Sequence, residues 1–528
     1  MPNEILSHST RSSRRLFLVA SALIVLLAGS LRDYHLAQRS LWLDEAIAAN
    51  ISRGTLSQTL TLTRGFHSAP IVDPLILNGV ERVANSPLAV RTPSFIASVL
   101  AVILMLSFVT LPSIDYKTAA LAALMLSVSA AQIRYAQEVR EYSLGVLYAG
   151  VLLYAYLSYI AKRDDEKSPW PLCAVLFFAP LIQYGLVLFS GGVLSALMIL
   201  AFAAEKRGRR IAQVFAASGF LGLGGLLSFF LTLRYQWGDD AWYLKEYILS
   251  PGSSLVHFVA TNTHHLITFL LPGSLAAAIS VLAIAIYLVT SIRNRIVPPL
   301  PLLAFTSCGI VLLAAMLRVY PYGGIRQCLF LAPVLCLLAS EGLIQVANRF
   351  AGRANALVFT AVVGMVVFSG VRQIRLLKTY AEVEDIQQVL RTLQDQLKPG
   401  DSVYVYPGAV FAVDFYVKER DPRFLYGNYH QKEPQKFLPE LRNGVRPQSD
   451  RLWIVFSHVY HDEDQRILRD LSADWNIEPV ISVTGSSLFL ATRRPDAAVE
   501  APNGAPVTDR THDSFWDWNI RNARETIR

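Results

Sequence analysis

Asp44 and Glu45 stand side by side in Leu41-Trp42-Leu43-Asp44-Glu45-Ala46, shortly after the first apolar run of a 528-residue chain. Adjacent carboxylates beside aromatic and aliphatic side chains can hold a general base in a dry cleft. The same pair suits the first turn of a helix, where the helix dipole favours negative charge. The surrounding segment, 32–91, carries Arg32, Arg39, Arg53, Arg64, Arg82 and Arg91 and no lysine. Arginine's planar fork matches phosphate and carboxylate. Long loops also escape the usual charge bias, and Asp33, Asp73 and Glu81 can pair with some of these arginines. A second polar group is Arg134-Tyr135-Ala136-Gln137-Glu138-Val139-Arg140-Glu141-Tyr142-Ser143-Leu144, in which a helix would put Glu138 and Tyr142 on one face. A third is Tyr320-Pro321-Tyr322-Gly323-Gly324-Ile325-Arg326-Gln327, just before a late apolar run. Its glycines allow close backbone approach, and Arg326 would open a helix, a favourable place for an anion. Arg318 is a weaker candidate of the same kind. His67, His264 and His265 are too sparse to specify a metal.

The elements that must position these residues are membrane spans. Hydrophobic residues make up 53% of the chain and charged residues 17%, with mean hydropathy +0.37. That composition excludes an ordinary soluble protein and a disordered one. The formal net charge of +8 suits nucleic acid or a membrane protein with basic cytoplasmic loops, and the long apolar runs decide for the membrane. About 20 apolar residues cross a bilayer core. Candidate runs are 16–31, 92–112, 117–133, 142–161, 171–184, 186–204, 211–233, 264–290, 297–317, 326–348 and 355–372. The first follows Arg11, Arg14 and Arg15, which reads as an uncleaved anchor with a cytoplasmic N-terminus. The continuous stretch 171–204 is too long for one straight crossing and breaks at Gln183-Tyr184-Gly185. Two helices there keep Lys206, Arg207, Arg209 and Arg210 inside with the other basic clusters. Eleven spans then put all three polar groups, and everything after residue 375, on the outer side.

Beyond residue 375 the composition changes. Tyr380–Leu397 reads as an amphipathic helix, Ser402–Tyr406 and Arg451–Phe456 as strands, Ala409–Val417 and Asp464–Trp475 as helices, and Val480–Thr492 as one or two strands. This pattern predicts a small α/β domain. The expected organisation is a membrane body over 1–375 that includes loop 32–91, an extracytoplasmic domain over 376–495, and a flexible tail over 496–528. Cys173, Cys308, Cys328 and Cys336 lie in apolar runs without CxxC spacing, as buried thiols do. There is no Walker loop, no GxGxxG after a strand and no HExxH.

Taken together, the three groups resemble the GT-C integral-membrane glycosyltransferases. The likeness is to family-39-like proteins related to protein O-mannosyltransferases and lipid A aminoarabinose transferases. The family's W-x-D-E context matches Trp42, Asp44 and Glu45, and R-x-P-S matches Arg91, Pro93 and Ser94. Y-A-Q-E-x-R-x-Y-S matches Tyr135 to Ser143, and P-x-G-G-x-R matches Pro321 to Arg326. The chain departs from the family at His67-Ser68-Ala69-Pro70-Ile71-Val72-Asp73-Pro74-Leu75, where H-P-P-L-Y is common, and at Gln183-Tyr184, where His-Tyr is common.

The resemblance implies a polytopic helical GT-C fold of about eleven spans with a C-terminal α/β domain. It also implies an inverting transfer from a polyprenyl-phosphate sugar to a glycan, lipid or protein acceptor, with no nucleic acid involved. Asp44 would activate the acceptor hydroxyl, with Glu45 beside it. Arg326, Arg140 and Arg91 would meet the donor phosphate, and Trp42, His67, Glu138, Tyr142 and Tyr322 would position substrate. Glu45 and Glu138 would position groups or hold a divalent cation, two alternatives the resemblance leaves open since some relatives use a metal and others do not, and the protein would sit in a bacterial inner membrane. A transporter or flippase of an anionic lipid, which also needs outer arginines, and a receptor-like protein are the other readings.

Overall fold

The computed structural model describes residues 2–66, 68–162, 167–236, 242–293, 298–379, 384–417, 421–427, 441 and 449–495. His67, the expected start of a helix at Tyr380, and the tail 496–528 lie outside them. In chain order the helices are α1 (Pro2–Asp33), α2 (Leu43–Ser52), α3 (Leu56–Phe66), α4 (Val72–Glu81), α5 (Pro87–Ser107), α6 (Tyr116–Val128), α7 (Ala130–Ala136), α8 (Tyr142–Ala161) and α9 (Trp170–Ile182). There follow α10 (Gly185–Phe202), α11 (Arg207–Ser228), α12 (Arg234–Gln236), α13 (Leu255–Leu270), α14 (Gly273–Arg293), α15 (Pro299–Met316), α16 (Ala332–Ala347), α17 (Gly352–Thr379), α18 (Ile386–Gln396) and α19 (Val410–Tyr416). The chain forms two compact units. One comprises 1–36, 68–73 and 91–378; the other comprises 37–67, 74–90 and 379–528.

The first unit is the membrane body. Among the described residues, nine helices are long and apolar enough to cross a bilayer, and α6 with α7 passes the same test as a pair bent by 61°, the form of a broken span or a re-entrant loop. The eleventh expected span is α9, only 13 residues long. The expected break in 171–204 is present, with Gln183 in extended backbone between α9 and α10. The expected run 264–290 instead divides into α13 and α14. Pro272 has no N–H to give a continuing helix, and Gly273 takes a left-handed φ of +85°. The 117–133 run also breaks, at Ser129, whose ψ of 123° is extended.

The second unit gathers the loop after α1 onto a five-stranded mixed sheet. Its strands are β1 (Ser402–Val405), β2 (Phe424–Tyr426), β3 (Arg451–Ser457), β4 (Trp475–Val483) and β5 (Ser486–Arg493), in the order β2-β1-β3-β5-β4. β1 runs parallel to β2 and β3, and the β4–β5 hairpin is antiparallel to β3. The expected helix Asp464–Trp475 is shorter, Glu463–Leu471, because Trp475 already opens β4. β3 is buried over its last six residues, so its continuous apolar run marks a central strand. The sequence reading kept loop 32–91 with the membrane body, whereas most of that loop packs with the sheet.

Candidate active site

In the sheet-containing unit, the acidic pair lies in the first turn of α2, where both carboxylates suit the helix dipole. The two side chains are treated differently. Glu45 is fully buried, and its Oε2 accepts the Trp42 N–H at 3.4 Å, closing the start of the helix. Asp44 remains partly exposed, as does Trp42. α2 is rich in alanine, and Ala46, Ala48 and Ala49 are buried where it packs on α19. Asn50 Nδ2 donates to the Phe411 carbonyl at 2.7 Å on the same face.

Arg53, just past α2, caps the far end of α19. It donates to the Asp414 and Phe415 carbonyls at 3.2 and 3.1 Å, and its guanidinium lies 4.6 Å from the centre of the Phe415 ring. Those carbonyls belong to the last turn of α19 and lack helical partners. Glu81, 3.9 Å from Arg53, has its carboxyl pushed up to about 7 by burial, with Arg53 opposing.

In the membrane unit, the second and third polar groups come together. Arg326 lies 5.6 Å over the Tyr142 ring, and Tyr142 packs edge-on against Tyr135 at 5.5 Å. Arg140 and Arg326 are both partly exposed. The segment 137–141 is not helical, so Glu138 and Tyr142 do not share a helix face as the spacing had suggested. α7 ends at Ala136 because Ser143 Oγ takes the Tyr135 carbonyl at 3.0 Å, and Gln137 turns away. Gln137 Nε2 reaches the Arg32 and Tyr34 carbonyls at 2.9 and 2.8 Å. Glu138 accepts from Arg134 Nε at 3.3 Å.

Two expectations about arginines are corrected. Residues 326–331 form a 3-10 turn ahead of α16, so Arg326 does not open an α-helix, and the helix-end argument for an anion there is lost. Arg91 is fully buried, with Nη1 on the Leu36 carbonyl at 2.9 Å, so it braces the turn after α1 instead of standing exposed. Arg32 is likewise buried and structural.

The glycine reading holds. A Cβ on Gly324 would sit 2.8 Å from the His265 carbonyl oxygen, and Gly323, with φ of +148°, would meet Asn262 Oδ1 at 2.6 Å. The loop before Arg326 is therefore pressed against α13 in a way only glycine permits. Tyr322 is buried by the same packing, its N–H on the Tyr247 carbonyl at 2.9 Å and its hydroxyl 3.0 Å from Thr263 Oγ1.

Sequence reasoning set Asp73 aside as a departure from the family pattern. It lies in the first turn of α4, 4% exposed, with no hydrogen-bond partner for Oδ2 among the described residues. Burial pushes its carboxyl up to about 7, with Glu141 adding to the effect and Arg140 opposing it. Asp73 therefore belongs electrostatically to the Arg140–Glu141 turn, a proximity that nothing in the local spacing signals. The Tyr184 hydroxyl, next to the other departure, meets Thr232 Oγ1 at 2.9 Å and Gln236 Oε1 at 2.7 Å. Gln236 in turn donates to the Ala69 carbonyl at 3.2 Å. Among the described residues no group of three or more His, Cys, Asp or Glu side chains is gathered to hold a metal.

No protein-family model matches the chain, and no curated protein matches it by sequence. Its structure is similar to the crystal structure of ArnT from Cupriavidus metallidurans in the apo state, at 13% identity and TM-score 0.56, over 91% of this chain and 98% of that one. The same protein bound to undecaprenyl phosphate matches at 14% identity and TM-score 0.56, over 89% and 97%. The archaeal oligosaccharyltransferase AglB from Archaeoglobus fulgidus, in complex with an inhibitory peptide and a dolichol-phosphate, matches at 10% identity and TM-score 0.50, over 92% and 75%. At these identities the likeness is one of fold. The protein is an integral multi-pass membrane protein that shares its fold with ArnT and carries a small C-terminal mixed-sheet domain.

Proposed function

We propose that the protein transfers a hexosyl or pentosyl group from a polyprenyl-phosphate donor to a hydroxyl of a glycan, lipid or protein acceptor, with inversion. The observation that carries this reading is the division of labour in the acidic pair. Glu45 is buried in holding the start of α2, while the adjacent Asp44 stays partly exposed in the first turn of the same helix. Such a carboxylate suits a general base that takes the acceptor's proton as the hydroxyl attacks the anomeric carbon. Arg326, stacked on Tyr142, is the group assigned to the departing lipid phosphate, with Arg140 as its companion. A guanidinium fixed in place stabilises charge as it develops on that phosphate. The fold shared with ArnT, which was solved with undecaprenyl phosphate, supports this class of donor. Basic clusters at 206–210 and 349–353 support a cytoplasmic N-terminus and a sheet domain outside a bacterial inner membrane.

The test is reconstituted protein given labelled undecaprenyl-phosphate sugars, one at a time, with membrane extract as acceptor source. Wild type transfers label from one of them, and Asp44→Asn lowers the rate by about 10²-fold or more. Equal rates for Asp44→Asn and wild type would remove Asp44 from the mechanism. Lipid scrambling in liposomes without transfer would favour a flippase.

A further inference from the structure

The four residues before Asp44 are each tied down, three of them by the C-terminal segment. Ser40 Oγ donates to Asp385 Oδ1 at 2.8 Å, the Leu41 N–H to the Tyr416 hydroxyl at 2.8 Å, and the Leu43 N–H to Glu384 Oε2 at 3.1 Å. The Trp42 N–H is taken by Glu45 within α2 itself. Leu43 is the first residue of α2, and its N–H is one of those a helix cannot satisfy internally. Its partner comes from 341 residues away, a carboxylate set at the positive end of the helix.

Glu384 is itself held firmly. It is 4% exposed, its Oε1 lies 2.5 Å from His458 Nδ1, and its Oε2 also accepts from Ser457 Oγ at 3.4 Å. The next residue, Asp385, donates its N–H to the Thr484 carbonyl in the β4–β5 turn at 2.8 Å. His458 follows the last residue of β3 and takes a left-handed φ of +50°, a conformation costly for a side chain with a Cβ. Its N–H reaches the Gly485 carbonyl at 3.4 Å. Strained residues of this kind persist where the surroundings fix them, and they gather at working sites. Here the strain turns the imidazole onto Glu384.

We propose that Glu384, oriented by His458, is a positioning residue that caps α2 from outside and so fixes where Asp44 stands. The C-terminal sheet domain would then be part of the catalytic apparatus through this contact. The inference rests on the transfer reading for what Asp44 does, but not for how α2 is held.

The test uses full-length protein in nanodiscs, with Glu384→Ala, His458→Gly and His458→Asn. Glycine relieves the backbone strain and removes the imidazole. Asparagine tolerates the same φ and returns an N–H near the Nδ1 position. In Glu384→Ala and His458→Gly, amide hydrogen exchange over 41–46 quickens by about tenfold, while exchange over β3 stays unchanged. In the transfer assay both variants lose about 10- to 100-fold in kcat, with KM for the donor and binding of undecaprenyl phosphate held within about twofold. His458→Asn recovers most of the rate.

Unchanged exchange over 41–46 in Glu384→Ala overturns the cap. Faster exchange with an unchanged kcat overturns the positioning role. If wild type transfers no sugar from any donor, the proposed function fails, and the exchange result alone decides whether Glu384 holds α2.

Discussion

Arg32 Nη2 donates to the Leu126 carbonyl at 3.0 Å, joining the end of the first span to the break in the third. The same guanidinium reaches the Ser127 and Ala28 carbonyls at 3.0 and 3.1 Å, and Ser98 Oγ at 2.7 Å. Leu126 and Ser127 lie in the last turn of α6, where the bend leaves carbonyls without helical donors. Inside a membrane such carbonyls must find protein partners. Arg32 supplies several donors from one rigid fork, as Arg53 does for α19 in the other unit.

Arg32→Ala should therefore leave several buried carbonyls unsatisfied, at about 1–3 kcal/mol each. The expected result is a lowered unfolding temperature in detergent and poor recovery of monodisperse protein. Arg32→Lys should rescue little, because an ammonium cannot span the same acceptors. Size-exclusion chromatography with thermal scanning checks this, and wild-type behaviour of Arg32→Lys would contradict it.

Asp44 and Glu45 should separate by assay. Asp44→Asn should lose transfer while keeping wild-type thermal stability. Glu45→Gln should lose stability, by about 1 kcal/mol for a weakened cap, together with a smaller part of the rate. Parallel melting curves and initial rates decide this, and identical profiles for the two variants would contradict the assignment.

Gly324→Ala places a Cβ 2.8 Å from the His265 carbonyl oxygen, a backbone atom that cannot swing aside. The loop carrying Arg326 must shift. Transfer should fall by about 10²-fold if Arg326 meets the phosphate, since displacements of about 1 Å have effects of that size. Undecaprenyl phosphate should also bind more weakly. Wild-type binding and rate in this variant would take Arg326 out of the donor site.

Asp73 predicts a pH dependence with a definite sign. Its carboxyl is raised from the ordinary range to about 7 in the folded protein, so the fold prefers it protonated. Between about pH 4 and pH 7 the folded state binds more proton than the unfolded state, and this contribution to stability is lost as pH rises through that window. Asp73→Asn should flatten the fall in unfolding temperature from pH 5 to pH 8 and raise stability at the alkaline end. An unchanged slope would show that Asp73 is ionised in the fold.

The sequence determined the membrane character, the break in 171–204, the alternating C-terminal domain and the three polar groups. Each is written in contiguous residues. Hydropathy sums over a span, alternation shows within a strand, and Gly323-Gly324 announces close packing wherever it falls. The sequence could not settle what each arginine does. Arg32, Arg53, Arg91 and Arg326 look alike in a one-dimensional reading; burial marks Arg32 and Arg91 as structural donors, bonds to the α19 carbonyls mark Arg53, and Arg326 stays partly exposed over Tyr142. Nor could it show that the loop bearing Asp44 packs with the sheet rather than with the membrane body. That assignment depends on hydrogen bonds such as Ser40 to Asp385 and Leu43 to Glu384, whose partners lie 345 and 341 residues apart. Such pairs leave no periodicity in either segment, because the chain's fold brings them together, and only the tertiary structure reveals them.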